Sequence, residues 1–331
     1  MKHTTTAVAG IGLALALAAS AGAWGEAAQI RVARQSGLGQ LPLVVMQHDK
    51  LIEKHLYAMG LESVKVEWVV LDASADPNAA LGGKADLVGG SLGAFLAQWG
   101  RTHGGVKAAG TLAEYPLLLN SSNPDVKTIA DFSAKDKIAV SRAGSASAFT
   151  LQAAAAQKWG AGEFGKLDPL TVNMSGPEAA QALLAGKDGV NAHVAGPRVA
   201  ATELKDGKVH TVLSSYDVWG PHTGNVVWAN SGFADANPKL YEAFTAALAE
   251  AFHKINDDKD AVAKTYVEAT QDKDGAEAVA AVLSNPDVHY TQTPHAVMKQ
   301  AQFQRDAKVV DSVPASWKDL FFPNAWKFRG S

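Results

Sequence analysis

Four short segments of this sequence, rich in glycine, serine and glutamine, have residue types suited to ligand binding. Each segment follows a strand-like run and precedes a helix-like run, so each marks a junction from strand to helix. Ligands of open α/β sheets bind at such junctions, where small residues expose backbone N–H groups that no helix hydrogen bond uses. The segments therefore predict a site made of backbone and hydroxyl donors. They are Gln35–Gln40, Gly89–Gly93, Ser141–Ser147 and Met174–Pro177.

The third segment has the chemistry best suited to an anion. Gly144, Ser145 and Ser147 stand at the start of a predicted helix. Free N–H groups, hydroxyls and the positive end of the helix dipole converge on an anion at such a place. Helix capping alone also explains these serines, and the two roles are compatible. The segment is not a phosphate-binding P-loop, because the required lysine is missing.

Charged and aromatic side chains complete the predicted site. Arg142, Arg34 and Arg198 are candidates to neutralise an anion, and we choose Arg142 because it lies in the serine segment. Trp219 and His222 lie in a long, polar, glycine-rich stretch, which favours the pocket over a buried contact between Trp and Pro. The predicted ligand-binding residues are Gln35, Gly39, Gln40, Ser91, Leu92, Tyr115, Arg142, Ser145, Ala146, Ser147, His193, Trp219 and His222.

Catalytic and metal-binding patterns do not occur in the sequence. The chain has 0 cysteines, which excludes disulfides, thiolate metal sites, iron–sulfur clusters and cysteine nucleophiles. It contains no G-x-S-x-G, H-E-x-x-H or G-x-G-x-x-G motif at the expected place, and its 10 histidines form no tight ligand pair. We therefore predict no metal, no cofactor and no enzymatic activity.

Composition places the chain among ordinary globular proteins. Its 331 residues suggest two domains, and 47% hydrophobic with 19% charged residues argues against disorder. The net charge of −3, with no long run of one sign, argues against nucleic acid as a partner.

The first 23 residues have the pattern of an export signal. Lys2 and His3 precede the apolar run Ala7–Ala19, and small residues follow up to Ala23. A membrane anchor is the alternative, but the run is shorter than the roughly 20 residues that span a bilayer. A lipoprotein would need a cysteine. We therefore predict a signal peptide at residues 1–23 and a soluble protein released into the periplasm.

Strand-like and helix-like runs alternate along the chain in two consecutive sets. This alternation predicts parallel sheets with helices on their faces, in two similar α/β lobes. After them, Leu240, Phe244, Leu248, Phe252 and Ile255 form an apolar stripe at helical spacing. The predicted strands include Ile30–Ala33, Val64–Val70, Asp86–Val88, Val106–Leu112, Lys137–Val140, Leu170–Val172, Val190–Val194 and Val209–Leu213.

Several stretches resemble the periplasmic solute-binding proteins of bacterial ABC importers, in the branch that binds aliphatic sulfonates, taurine, nitrate or thiamine precursors. Ala79–Gly89 resembles the segment A-L-x-x-G-x-x-D of that branch, Thr128–Val140 resembles its approach to the second lobe, and Gly144–Ala148 resembles its anion loop. Pro177–Gly186 and Val190–Pro197 resemble the next helix and strand. The likeness extends from residue 30 to residue 322.

The resemblance implies a type II-like fold of two lobes joined by a two-strand hinge, with a helical C-terminus. Each lobe would be a mainly parallel sheet flanked by helices. Lobe 1 would comprise residues 28–117 and 226–331, and lobe 2 residues 118–225, with the chain crossing near residues 115–121 and 219–228. A monomer would capture a small-molecule anion in the cleft and deliver it to an ABC transporter permease.

Two departures from the pattern bear on the ligand. Ser133–Asp136 replaces the usual turn L-K-G-K, and Asn191–Pro197 lacks the common aspartate, tryptophan and acidic residue. His193 in that stretch is either a pocket residue or a structural histidine on a strand.

Several functions stay open at this point. A sulfonate-type anion is the first choice, and a neutral heterocycle such as a thiamine pyrimidine precursor is the second. An enzyme on the same scaffold, similar to porphobilinogen deaminase, is a third. An exported signalling partner would use the same residues.

Overall fold

The computed structural model describes residues 26–72 and 75–331, and the predicted export signal lies outside them. Within the described residues, ten strands form two five-stranded sheets, one in each lobe. The strands are β1 (Gln29–Gln35), β2 (Lys65–Leu71), β3 (Leu87–Ser91), β4 (Val106–Glu114), β5 (Leu118–Ser121), β6 (Ile138–Val140), β7 (Thr171–Asn173), β8 (Ala192–Ala195), β9 (His210–Ser214) and β10 (Thr223–Asn230).

Helices flank both sheets. None in the described part of the chain is long and apolar enough to cross a membrane. They are α1 (Leu41–His48), α2 (Leu51–Ala58), α3 (Leu92–Arg101), α4 (Ala146–Trp159), α5 (Gly176–Ala185), α6 (Pro197–Glu203), α7 (Ser215–Trp219), α8 (Phe233–Ala236), α9 (Pro238–Asp257), α10 (Lys259–Thr270), α11 (Gly275–Leu283) and α12 (Val297–Asp306).

The two sheets have the same plan. The first has the order β2-β1-β3-β10-β4, and the second β7-β6-β8-β5-β9. In the first sheet β10 is antiparallel to both of its neighbours, and in the second β5 is. Each of these strands directly follows a crossing of the chain from the other lobe, so it enters its sheet from the cleft side. The sheets are thus mixed, with four of five strands running in one direction.

The two crossings are short. Residues 115–117 connect β4 of the first lobe to β5 of the second, and residues 220–222 connect α7 back to β10. Glycine and proline occupy the return crossing, where Gly220 has φ +72°, a conformation that glycine adopts without strain.

The C-terminal helices pack on the first lobe. All five residues of the predicted apolar stripe on α9 are buried in one core with α1, α2 and the first sheet. Each such side chain contributes roughly 1.5–3 kcal/mol when fully buried. The hydrophobic effect therefore returns the end of the chain to the lobe where it began.

Helix α12 contacts both lobes. The ring centroid of Phe303 lies 5.5 Å from that of Trp219 and 6.5 Å from that of Phe149, both in the second lobe. Gln304 Nε2 donates to the carbonyl of Gly93 in the first lobe, at 2.9 Å. This helix therefore lies beside the crossings and contacts both lobes there.

Candidate functional site

A cavity of about 410 Å³ lies between the lobes. The loop after β1 and the start of α3 form its first-lobe wall, and the loop after β6 with the starts of α5 and α6 forms the opposite wall. Parallel strands end at the same edge of a sheet, so the junctions predicted from the sequence meet across this cleft.

Two serines on the second-lobe wall hydrogen-bond to each other. Ser145 Oγ and Ser147 Oγ lie 2.8 Å apart. Ser145 Oγ also accepts from the N–H of Ala148, and Ser147 Oγ from the N–H of Ser141. The two hydroxyls carry two hydrogens, and their mutual bond uses one. One O–H donor is therefore left for a ligand at the start of α4.

Ser91 presents a second hydroxyl from the opposite wall. Its Oγ accepts from the N–H of Ala94 at 3.2 Å and so caps α3. No acceptor for its own hydrogen occurs among the described residues. Capping and ligand donation are compatible here, because a cap uses only the lone pairs of the hydroxyl.

Gln40 is the most unusual polar group of the cleft. Its side chain is 1% exposed, and among the described residues neither Nε2 nor Oε1 has a hydrogen-bond partner. Gly89 makes its position possible, because a Cβ on Gly89 would overlap Gln40 Oε1. An unsatisfied buried amide costs about 1–3 kcal/mol. A bound group that both donates and accepts would remove that cost.

Arginines on the two walls differ in how they are paired. Arg198 contacts the carboxylates of Asp272 and Asp274, which balance its charge. Arg142 is partly buried and donates only to the carbonyl of Ala143, at 3.1 Å, and no carboxylate in the described ranges pairs with it. Arg142 is therefore the wall arginine that remains available to a ligand's charge.

Solved structures of binding proteins share the fold of this chain. The periplasmic aliphatic sulphonate binding protein SsuA from Escherichia coli matches with a TM-score of 0.67 at 18% identity, over 90% of this chain and 92% of that one. The chain has the periplasmic-binding-protein fold. The fold class expected from the sequence is confirmed.

Two further solved structures with the periplasmic-binding-protein fold match this chain with similar TM-scores. The alkanesulfonate-binding protein from Xanthomonas axonopodis pv. citri, bound to MOPS, has a TM-score of 0.66 at 20% identity and covers 91% of this chain and 98% of its own. The nitrate-binding protein NrtA from Synechocystis has a TM-score of 0.64 at 11% identity and covers 91% and 88%. No family model and no curated protein matches this chain.

Within the periplasmic-binding-protein fold, most residues expected at the site lie on the walls of the cleft. The structure brings together Gln35, Gly39, Gln40, Ser91, Tyr115, Arg142, Ser145, Ala146 and Ser147.

Leu92 and His193 lie elsewhere, and both placements correct the sequence prediction. Leu92 is the first residue of α3, and its side chain is fully buried in the core of the first lobe. His193 Nδ1 lies 2.5 Å from Glu203 Oε1 inside the second lobe. Side chains alternate along a strand, so the neighbouring Val194 lines the cleft while His193 points towards α6.

Trp219 and His222 also lie outside the cleft, in a smaller cavity behind it. Trp219 packs on Phe303, which α12 brings from the far end of the chain. The Nδ1 atom of His222 lies 2.9 Å from the carbonyl of Gly220, and burial lowers the pKa of His222. Both rings thus lie at the boundary between the lobes, but in the cavity behind the cleft.

Arg34, weighed as a counter-charge, does not line the cleft either. It is buried behind the first-lobe wall, where its Nε donates to Gln47 Oε1 at 2.7 Å, and burial lowers its pKa. In the described part of the chain, no group of three His, Asp or Glu side chains is placed to hold a metal ion.

Sequence reasoning missed the wall contributed by the C-terminal half of the chain. Tyr266 and Thr270 reach the cleft from α10, Asp272 follows that helix, and Asn225 comes from β10. Asn225 Oδ1 accepts from the hydroxyl of Tyr115 at 2.7 Å. None of these residues has a local sequence signal for ligand binding, since only the packing of α10 on the first lobe brings its end to the cleft.

Proposed function

We propose that this protein is the solute-binding component of an ABC importer, and that it binds a small anion, a sulfonate first, in the cleft between its lobes. The observation that carries the proposal is the buried, unpartnered amide of Gln40 on a wall of that cleft. A fold that leaves such a group unsatisfied gains free energy when a bound anion accepts a hydrogen bond from its Nε2.

The electrostatics of the cleft favour an anion over a cation. Helices α3 and α4 begin at its walls, so the positive ends of their dipoles and their free N–H groups face the ligand. Arg142 adds a charge that no described carboxylate balances, whereas Asp272 is paired with Arg198. The net charge of −3 does not oppose this, because distant charges are screened beyond about 8 Å.

The hydrogen bonds of the serines in the site fit a protein that binds its ligand without a chemical reaction. Ser145 and Ser147 bond to each other and to backbone N–H groups, and neither hydroxyl contacts a histidine or a carboxylate in the described residues. A nucleophilic serine needs such a base within hydrogen-bond reach. The ligand is expected to leave unchanged, which mass spectrometry of the released ligand tests.

The same proposal implies a cellular location and a transport partner for the protein. Residues 1–23 would direct the protein to the periplasm, where a monomer would close around its ligand and present the closed form to a permease. Sulfonate-binding and nitrate-binding proteins occur among the structural neighbours with this fold, which supports this assignment. The proposal also includes the division of the chain into lobe 1, residues 28–117 and 226–331, and lobe 2, residues 118–225.

A thermal-shift panel with alkanesulfonates, nitrate, sulfate and carboxylates tests the function, followed by calorimetry on the best ligand. Ser145→Ala is the informative variant, and Ser214→Ala is its matched control because Ser214 caps α7 away from the cleft. Both variants lose a helix cap worth about 1 kcal/mol of stability. Only Ser145→Ala should weaken anion binding, by about tenfold, as expected for a hydrogen bond to a charged group.

Each alternative has its own outcome in this experiment. Absence of stabilisation by every anion would refute the proposal. Stabilisation by a pyrimidine instead, with no effect of Ser145→Ala, would identify a binder of neutral heterocycles. Turnover of the bound ligand would identify an enzyme.

A further inference from the structure

A second, smaller cavity lies directly behind the cleft, and we call it the rear cavity. Its volume is about 60 Å³. At roughly 10–15 Å³ for each water-sized group, it has room for about four to six such groups. Its walls come from α3, α4, α7, β10, α12 and both crossings.

Aromatic rings form most of the apolar wall of the rear cavity. Phe149, Trp219 and Phe303 meet edge to face, with Phe303 from α12 between the other two. Gly93 allows α3 to approach this cluster, because a Cβ there would lie 2.7 Å from the ring of Phe149. The rings hold one another in place, so the cavity is preformed rather than created by a mobile side chain.

One buried acceptor in the rear cavity has no partner. Gln304 is 2% exposed and its Nε2 donates to Gly93, while its Oε1 has no hydrogen-bond partner among the described residues. Nδ1 of His222 faces the carbonyl of Gly220, so it carries the hydrogen and leaves Nε2 as an acceptor in the neutral ring. Oε1 of Gln304 and Nε2 of His222 can thus each accept a hydrogen bond from a donor in the rear cavity.

The rear cavity and the cleft share part of their walls. Tyr115, Leu117, Ala146 and Asn225 line both. Ala146 stands between the two serines that face the cleft, at the first residue of α4. The rear cavity therefore adjoins the cleft beside these serines, where a substituent on a bound anion could reach it.

We propose that the rear cavity is a subsite for the organic substituent of the anion, and that it selects a short apolar chain ending in a neutral hydrogen-bond donor, such as a hydroxyl. This inference rests on the proposed function. The aromatic wall fits the chain, and the free Oε1 of Gln304 accepts from the terminal donor. Among the described residues that line the rear cavity there is no carboxylate, so a terminal ammonium group would have no counter-charge.

Calorimetry with methanesulfonate, propane-1-sulfonate, 3-hydroxypropane-1-sulfonate and 3-aminopropane-1-sulfonate tests the subsite. Each buried methylene should strengthen binding about threefold to fourfold. The terminal hydroxyl should add roughly twofold to tenfold over the alkyl chain. The ammonium compound should bind more weakly than the hydroxyl compound.

Two variants locate the effect in the rear cavity. Gly224→Ala adds a methyl group there, and its Cβ would meet only ordinary contacts, 3.6 Å from Ala113 O and 3.9 Å from Tyr115 Cζ. It should weaken binding of the three-carbon ligands at least threefold and leave methanesulfonate unchanged. Gly207→Ala, at an exposed position with open space around it, is the control and should change neither.

Gln304→Met tests the acceptor. It should abolish the preference for the hydroxyl compound over propane-1-sulfonate while the alkyl ligand still binds. A loss that is equal for all ligands, methanesulfonate included, would indicate structural damage and no subsite role for Gln304.

The results separate failure of the subsite from failure of the proposed function. If methanesulfonate binds, but longer chains add nothing and Gly224→Ala has no effect, the subsite is refuted and the anion site stands. If no sulfonate binds at all, the proposed function itself falls.

Discussion

Arg198 and Asp272 form an ion pair across the mouth of the cleft, with Nη1 of the arginine 3.2 Å from Oδ1 of the aspartate. Arg198 lies in the first turn of α6 in the second lobe, and Asp272 follows α10, which packs on the first lobe. Asp274 contacts the same guanidinium. The pair therefore joins the two lobes in this closed arrangement.

Arg198→Gln should shift the unliganded protein towards an open form. The partly buried pair contributes about 1 kcal/mol to closure, so ligand affinity should fall about threefold to tenfold. Small-angle X-ray scattering should record a larger radius of gyration than that of the wild type without ligand, and the wild-type radius at saturating ligand. Lys166→Gln, which breaks the pair of Lys166 with Glu163 inside the second lobe, should change neither measurement.

Gln40→Leu should stabilise the empty protein and weaken ligand binding at the same time. Removing a buried amide that has no partner should raise the free energy of unfolding by about 1–3 kcal/mol. The variant also loses the hydrogen bond that Gln40 Nε2 donates to the anion, so affinity should fall about tenfold. Chemical denaturation without ligand, combined with calorimetry, measures both quantities. A destabilised empty protein would contradict this account of Gln40.

Glu203→Gln should destabilise the second lobe strongly. Glu203 is fully buried, accepts from Asn120 Nδ2 at 2.8 Å and contacts His193. Breaking a buried, hydrogen-bonded pair costs about 3–5 kcal/mol. Glu250→Gln is the control, because Glu250 pairs near the surface with Lys54 and His55 and should cost about 1 kcal/mol or less. Equal losses in denaturant unfolding of the two variants would refute the structural role of His193.

Asp136 should make part of the stability depend on pH. Burial alone would raise the pKa of its carboxyl, but hydrogen bonds from Ser133, Asn123 and Asn191 outweigh burial and hold that pKa below its usual range. A carboxyl with a lowered pKa in the folded state stabilises the protein above its unfolded pKa, near 4, and loses that contribution as the pH falls through the folded value.

The matched variant for this effect is Asp136→Asn. At pH 7 it should be about 1–3 kcal/mol less stable than the wild type. The difference should shrink as the pH falls below about 4. Urea unfolding between pH 7 and pH 3 measures it, and a difference that does not vary with pH would rule out this contribution.

Local patterns predicted the strands, the helices and the loops between them. The serine segment before α4 and the Ser91 cap of α3 are encoded by neighbouring residues, because caps need particular side chains at fixed offsets. The stripe on α9 is likewise a short-range periodicity. For this reason nine of the thirteen predicted site residues lie on the walls of one cleft.

The positions of the four predicted residues that do not line the cleft depended on information that no short segment contains. His193 and Val194 are neighbours on one strand, and the partner Glu203 on α6 decided which side the histidine faces. Trp219 lies in the rear cavity because Phe303 from α12 packs against it.

The sequence by itself determined the alternation of strands and helices, the capped loops and the absence of thiol chemistry. Tertiary structure decided which loops share a cavity, how Arg198 is neutralised, and that a second cavity exists behind the first. The physical reason is the distance along the chain over which each interaction acts. Backbone caps and apolar periodicity act within a few residues, whereas the cleft and the rear cavity are formed by contacts of α10 and α12 with loops far away in the chain.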